Sequence, residues 1–450
     1  MTERLSCAEP IECRLVMIDP DSMRILTTAT EAGSSLPRES VPAYTRVAEA
    51  LNEAIEQRYG LRTLQLAILP GAEEPTSCAV HEIMGSQEAA LRSFSFVTLD
   101  EIASSELTEA ERSLALKVMK GEANKLGRFA RLGWIDELLT KTGSHRDQNS
   151  APIIRQLNQG IDFCLINLKD ANGRNLWFKA VGEPNTREYA LTVELARRFP
   201  EYLPKILATI PEWNGWIMED VEGVPLNESF SIYKCEQALT ALAVMQKKIV
   251  NDVALLSALG AKDWTCARIA SLLEPFFREA LSAMRAQTST RSRPLAASEI
   301  YQLQKDMESA LDEFSTAGIP ETLLHGDIGH GNVIATCEGP VFLDWAEAYI
   351  GHPFLSAEHL LADLSRSNPV FAEKQDALRF HYAGHWKGYV KPSELGRVTR
   401  LAPAIAAFVY AAISWDASLN RSDPTQAWPL MRSMLRRTKR ELEHTAELLA

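Results

Sequence analysis

The sequence predicts an α+β protein of two or three domains, and three features predict it. Its 450 residues exceed what one ordinary hydrophobic core accommodates. Up to about residue 227, short apolar runs alternate at a period near two between turn-forming clusters, which is the pattern of strands joined by hairpins. Beyond about residue 228, apolar positions recur at helical spacing, so helices dominate the remainder.

The elements follow in order. IECRLVMID and MRILTTA flank the turn-forming PDS and form a hairpin. AYTRVAEALNEAIEQRYG (43–60) is a helix stopped by Gly60. LRTLQLAIL, TSCAVHEIMG and SFSFVTL are strands, and LTEAERSLALKVMKGE (107–122) is a helix capped by Thr108. RFARLGWIDELL (128–139) extends as a helix, and the polar KTGSHRDQNSAP (141–152) is a linker or surface loop. IIRQLNQGIDFCLINLKDANGRNLWFKAV then gives strands around Gly160 and a hairpin at Ala171-Asn172-Gly173, with Lys179 on the last strand. A helix over 187–198 and an extended GWIMEDV complete this part. The expected organisation is 1–122, a helix and linker over 123–152, a strand-rich lobe over 153–227 and a helical lobe over 228–450.

Composition excludes several classes. A hydrophobic share of 46% and a charged share of 24% are those of a soluble globular chain. A net charge of −12 disfavours nucleic acid, whose phosphates need basic surfaces. The seven scattered cysteines contain no C-x-x-C pair, against both a disulfide framework and a zinc site. MTERLSCAEPIECR lacks the basic start and apolar run of a signal peptide, and LAPAIAAFVYAAISW (401–415), interrupted by Pro403, is a buried helix rather than a membrane span. The expected location is cytoplasmic, with no membrane partner, as monomer or homodimer.

LLHGDIGHGNVIATCEGPVFLDW (323–345) concentrates the chemistry. Asp327 is placed to orient or deprotonate a hydroxyl, while Asn332 and Asp344 offer the hard oxygens that Mg²⁺ takes alongside phosphate oxygens. H-G-D-x-x-x-x-N followed by an apolar strand ending in D-W resembles the aminoglycoside phosphotransferase and choline kinase family, relatives of protein kinases. The resemblance implies Asp327 as the catalytic residue, Asn332 and Asp344 as metal ligands, Mg²⁺, and ATP or GTP as co-substrate. It further implies Lys179 of LWFKA on the nucleotide phosphates and Glu188 as its ion-pair partner, with Glu194 as the alternative. Gly160 falls in the loop over the phosphates, and Met218, Glu219 and Val221 of GWIMEDVEGVPL form the hinge that receives adenine. After the metal aspartate, GHPFLS departs from the family's G-x-P-x-x-D and puts Ser356 where an aspartate is usual.

LPRESVPAYTRVAEALNEAIEQRYGL resembles the helix region of Nudix hydrolases. The positions of that family's R-E-x-x-E-E cluster hold Glu53, Ala54, Gln57 and Arg58, so the resemblance implies a Nudix-like α/β sandwich without hydrolase activity. The whole chain is then this sandwich followed by a bilobal protein-kinase-like domain, with an antiparallel-sheet lobe and a mainly helical lobe. His381 and His385, at i and i+4, are packing or surface histidines for want of a third ligand. Phe380, Tyr382, Trp386 and Tyr389 are helix packing, and Asp416 is a solvated helix-end carboxylate or a group lining the acceptor pocket. The expected activity moves a γ-phosphate to a hydroxyl of a small molecule, antibiotic or metabolite. The alternative is a nucleotide-binding regulatory or interaction protein of the same fold with little turnover.

Overall fold

The computed structural model describes residues 10–30, 33–42, 45–70, 76–86, 94–122, 127–141, 154–170, 173–329 and 331–449. His330, the linker segment 142–153 and the turn residues 171–172 lie outside them. The chain divides into two compact units, Met1–Tyr189 with Lys205–Asp220, and Ala190–Pro204 with Val221–Ala450.

The first unit starts with the expected hairpin, β1 (Ile11–Asp19) and β2 (Arg24–Thr30), antiparallel with Ile18 opposite Ile25. β3 (Gly33–Ser35), β4 (Arg38–Val41), β5 (Leu61–Leu69), β6 (Thr76–Ser86) and β7 (Ser95–Val97) complete a seven-stranded sheet. β6 runs parallel to β1 and antiparallel to β5, so the sheet is mixed. Leu15, Val16, Met17 and Ile18 are all buried, because both faces of β1 are covered. Leu15 and Met17 pack with Leu51 and Ile55 of helix α1 (Val47–Tyr59). Val16 and Ile18 pack with Leu114 and Val118 of α2 (Glu109–Lys120).

Local signals fix these helices. Gly60 takes φ 67° and donates its N–H to Glu56 O, ending α1 as read from the sequence. The Thr108 hydroxyl accepts from Glu111 N, and the Glu111 carboxylate accepts from Thr108 N, a reciprocal cap. The helix expected over 128–139 begins only at Trp134, as α3 (Trp134–Lys141). Gly133 at φ 72° stands in the left-handed region, and its N–H donates to the Glu82 carboxylate at 3.0 Å, so a helix cannot run through it.

An antiparallel sheet follows within the same unit: β8 (Ile154–Gln159), β9 (Cys164–Lys169), β10 (Asn175–Ala180), β11 (Ile206–Ile210) and β12 (Gly215–Glu219), ordered β11-β12-β10-β9-β8. Ile166, Phe178 and Ile217 from this sheet share one core with Val16, Val80, Leu114 and Trp134. The two sheets of the unit are therefore two walls of a single apolar core.

Helix α4 (Arg187–Arg198) matches its expected span. The second unit contains α5 (Ile232–Ile249), α6 (Val253–Ala258), α7 (Cys266–Arg285), α8 (Ala297–Thr316), α9 (Phe354–Ser367), α10 (Pro369–Gly384), α11 (Pro392–Ser418) and α12 (Trp428–Leu449). Short strands lie between: β13 (Val224–Pro225), β14 (Lys262–Asp263), β15 (Thr322–Leu324), β16 (Val333–Ala335), β17 (Pro340–Phe342) and β18 (Tyr349–Gly351). β16 and β17 form a hairpin with Val333 opposite Phe342, and β15 pairs β18 with Leu324 opposite Tyr349. Among the described residues α11 is the one helix long and apolar enough to cross a membrane, and 78% of its apolar window is buried in the protein. Of the cysteines, Cys13, Cys78, Cys164, Cys235 and Cys266 are buried free thiols, Cys337 is exposed, and Cys7 lies outside the described residues.

Candidate active site

In the first unit Lys179 sits on the central strand β10, opposite Leu165 of β9 and Trp216 of β12. A lysine there has an apolar surround, and only a counter-ion makes its charge tolerable. Glu188, in the first turn of α4, supplies it: Nζ to Oε1 is 2.5 Å, with the two residues 7% and 2% exposed. The Lys179 ammonium also lies 5.8 Å from the centre of the Trp216 ring. Glu194 instead binds Arg197 and Arg198 at 2.8 and 2.6 Å, which removes it as the partner of Lys179.

Met218 and Glu219 end β12. The Glu219 N–H donates to Lys205 O at 3.0 Å, and its carboxylate accepts from Lys205 Nζ at 3.0 Å. Gly160 follows β8 in a tight turn, its N–H donating to Phe163 O at 2.9 Å.

In the second unit the loop from His325 to Asn332 joins β15 to β16. His325 is fully buried; its backbone N–H donates to Ser356 Oγ at 3.1 Å and its Nε2–H to Leu343 O at 2.7 Å. Its ring lies 4.5 Å from that of Trp345. His325 thereby clips the start of the loop to the residue before Asp344. Ser356, on α9, provides an acceptor for this loop.

Gly326 has φ 80°, and a Cβ there would stand 2.0 Å from Glu347 O. Gly326→Ala is expected to cost more than the ~1–2 kcal/mol of the left-handed backbone, because the carbonyl cannot retreat freely. Urea unfolding of the variant measures this, and a loss under ~0.5 kcal/mol would contradict the collision.

Asp327 is exposed. Asn332 folds back on it, Nδ2 donating to Asp327 O at 2.8 Å and to Oδ2 at 3.3 Å, while its own carbonyl accepts from Leu343 N at 2.8 Å. This orientation assigns the amide NH₂ to Asp327 and leaves Oδ1 as the acceptor for a cation. Asp344 is exposed, at φ 61°, just past the β16–β17 hairpin. A left-handed conformation is strained for most residues but tolerated by aspartate, and such strain gathers at functional sites. One amide oxygen and one carboxylate are a donor set suited to Mg²⁺, which keeps its remaining positions for water and phosphate.

A cleft opens beside Asp327, lined by residues 326–329, by Glu358, His359, Ala362, Asp363 and Arg366 of α9, by Pro403, Ala406, Ala407 and Tyr410 of α11, and by Met434 and Arg437 of α12. Glu358 is held by Arg379 at 2.5 and 3.0 Å, and Asp363 by Arg366 at 3.2 Å. Burial, then the positive charge of Arg437, pushes the His359 imidazole down to about 4, so it is neutral at pH 7. None of the cleft's helical residues was read as functional from the sequence. Asp416 does not line the cleft; it pairs with Arg268 at 3.3 Å. His381 and His385 both meet the Thr240 hydroxyl, at 3.0 and 3.2 Å, as packing histidines.

Residues 186–385 match the phosphotransferase enzyme family, a span that includes Glu188, Asp327, Asn332 and Asp344. Among solved structures, a macrolide 2'-phosphotransferase from Brachybacterium faecium is 16% identical, with 67% of this chain and 98% of that one covered and a TM-score of 0.42. A choline kinase from Cryptosporidium parvum is 15% identical over 74% and 97% of the two chains, with a TM-score of 0.46. A choline/ethanolamine kinase family protein from Mesorhizobium loti is 16% identical over 65% and 88%, with a TM-score of 0.42. No curated protein matches the chain in sequence. The N-terminal residues with the Nudix resemblance fall outside the family match, which begins at residue 186. Over residues 186–385 the chain is thus similar to the phosphotransferase enzyme family, the family its H-G-D-x-x-x-x-N segment resembles.

Proposed function

We propose that the protein transfers the γ-phosphate of ATP or GTP to a hydroxyl of a small molecule, with Mg²⁺ bound at Asn332 and Asp344. The observation that carries this reading is the clasp of Asn332 on the main-chain carbonyl and one carboxylate oxygen of Asp327, which sets a carboxylate for the acceptor and an amide oxygen for a cation within one loop. Lys179, charged and aligned by Glu188, steadies the nucleotide phosphates. Asp327 holds the acceptor hydroxyl in line and receives its proton as the new O–P bond forms and the bond to the leaving diphosphate breaks. The metal supplies charge neutralisation on the phosphates. Met218, Glu219 and Val221 receive the purine; because the Glu219 side chain and N–H are both paired with Lys205, its main-chain carbonyl is the group that does so.

The acceptor reaches Asp327 through the cleft on α9, α11 and α12. Its walls combine apolar Pro403, Ala406, Ala407 and Met434 with Arg366 and Arg437. Tyr410 is the one phenyl-type ring there among the described residues, and a quaternary ammonium is ordinarily held by a cage of several. The lining suits a hydroxyl compound with an apolar body better than a choline-type cation. For residues 1–122 we propose no hydrolase role, since Glu53 and Arg58 of the Nudix-like positions face Arg155 and Glu39 in surface ion pairs.

Thermal-shift titration with ATP and GTP, each with Mg²⁺, followed by a nucleoside-diphosphate release assay against a panel of sugars, aminoglycosides, macrolides and amino alcohols, tests the proposal. Nucleotide-dependent stabilisation with acceptor-dependent release is expected. Stabilisation without turnover on any acceptor would favour the regulatory alternative, and neither effect would sink both.

A further inference from the structure

The turn after β8 that would lie over the nucleotide phosphates has a single glycine, Gly160, so its shape is not set by its own sequence. Besides its own Gly160–Phe163 bond, it is held from outside the antiparallel sheet. Gly127, at φ 96°, approaches so closely that a Cβ on it would fall 1.4 Å from Ile161 O. The next residue, Arg128, pairs with Asp162 (Nε to Oδ1 3.0 Å) and donates from Nη1 to Glu212 O at 2.6 Å. Phe129 is buried against Trp134, Phe178 and Trp213, which anchors this segment in the core shared with the N-terminal sheet.

The other flank of the turn is tied to the N-terminal sheet directly. Gln159 Nε2 donates to Leu66 O of β5 at 2.8 Å and to Phe129 O at 3.3 Å. Gln156 is buried, and its amide mimics a strand partner: Nε2 donates to Gln65 O at 2.9 Å while Oε1 accepts from Gln65 N at 2.8 Å. Asn52 Nδ2 of α1 donates to the same Oε1 at 3.0 Å. Glycine-poor as it is, the turn is thus held at residues 159, 161 and 162 by groups that precede the antiparallel sheet in sequence.

We propose that β5 of the N-terminal sheet and the 127–129 segment together form a brace that keeps the 160–162 turn in its nucleotide-receiving shape, with Arg128 and Asp162 as positioning residues. This rests on the assignment of that turn to the nucleotide. A loop ordered before binding gives up less conformational entropy when the ligand arrives, so the brace raises nucleotide affinity. Loosening it weakens nucleotide binding while the fold, secured by the shared core, persists.

The test uses the full-length protein with Mg-ATP and, in parallel, Mg-GTP as probes, so no acceptor is needed. Arg128→Ala and Asp162→Asn are each expected to raise the nucleotide Kd about tenfold with little change in melting temperature, and Arg128→Lys to recover part of the loss. The double variant Arg128→Ala/Asp162→Asn should be no worse than the singles by more than about twofold, because one interaction is lost in all three. If Arg128→Ala fails to fold, Asp162→Asn, nearly isosteric, carries the measurement. Folded variants that bind nucleotide like the wild type overturn the brace while leaving the phosphotransferase assignment intact. A wild type that binds neither nucleotide, with Lys179→Met indistinguishable from it, overturns that assignment and the brace with it.

Discussion

Asp327→Ala is expected to lower turnover at least roughly 10²-fold, with nucleotide KM and melting temperature close to the wild type. The side chain is exposed, so its removal leaves no cavity. The loop also survives the change. Asn332 is held chiefly by the Asp327 main-chain carbonyl, at 2.8 Å against 3.3 Å to the carboxylate, and that carbonyl remains in alanine. His325 keeps its bonds to Ser356 and Leu343 on the other side. What disappears is the carboxylate proposed to face the acceptor hydroxyl. Asp327→Asn sharpens the point, since it preserves shape and removes basicity: a loss comparable to alanine's assigns proton acceptance to Asp327, and a milder one assigns alignment. Steady-state kinetics with the acceptor found by the panel assay would decide, and turnover within about threefold of wild type in Asp327→Ala would remove the residue from catalysis.

How much of this was legible in the sequence depends on the range over which each signal acts. Gly60 and Thr108 were readable because a helix end is decided within four residues, by a left-handed glycine or a hydroxyl aimed at the third N–H. The helix over 128–139 was overextended because the apolar spacing in RFARLGWIDELL is helical while Gly133 takes a left-handed backbone, fixed by a carboxylate from β6 that the local string does not contain. Glu188 and Glu194 were separable only by geometry. Both ride one helix, but Glu188 reaches the buried Lys179 and Glu194 meets two arginines on its own last turns.

The loop residues Asp327, Asn332 and Asp344 stood out because fixed spacing in one short segment carries them. The cleft beside them did not, for its walls come from three helices spread over residues 358–437 and share no local pattern. The shared core of the first unit was equally hidden. Four successive buried residues in β1 look like one strand of uncertain face until helices and a second sheet supply cover on both sides. Periodicity reveals which residues avoid water, and only tertiary packing reveals what they meet.

The buried Lys179–Glu188 pair makes the other large prediction, because its stability and catalytic consequences part company. Glu188→Ala takes away the carboxylate paired at 2.5 Å with an ammonium that is 7% exposed, and breaking such a buried pair costs about 3–5 kcal/mol. Lys179→Met breaks the same pair from the other side, taking the ammonium away from Glu188, which is 2% exposed. Replacing both, as Lys179→Met/Glu188→Leu, takes the desolvated charges away together and is expected to regain most of the lost stability, since apolar side chains of similar volume can replace a buried ion pair, here beside the Trp216 ring. Turnover should follow a different order: all three variants lose it, by at least roughly 10-fold for Glu188→Ala and more for the two that lack the lysine. Urea unfolding and steady-state kinetics on the same preparations separate the two roles. A double variant less stable than either single would mean that the pair stabilises the fold in its own right, whereas a double variant that is stable and still active would take Lys179 out of the nucleotide site.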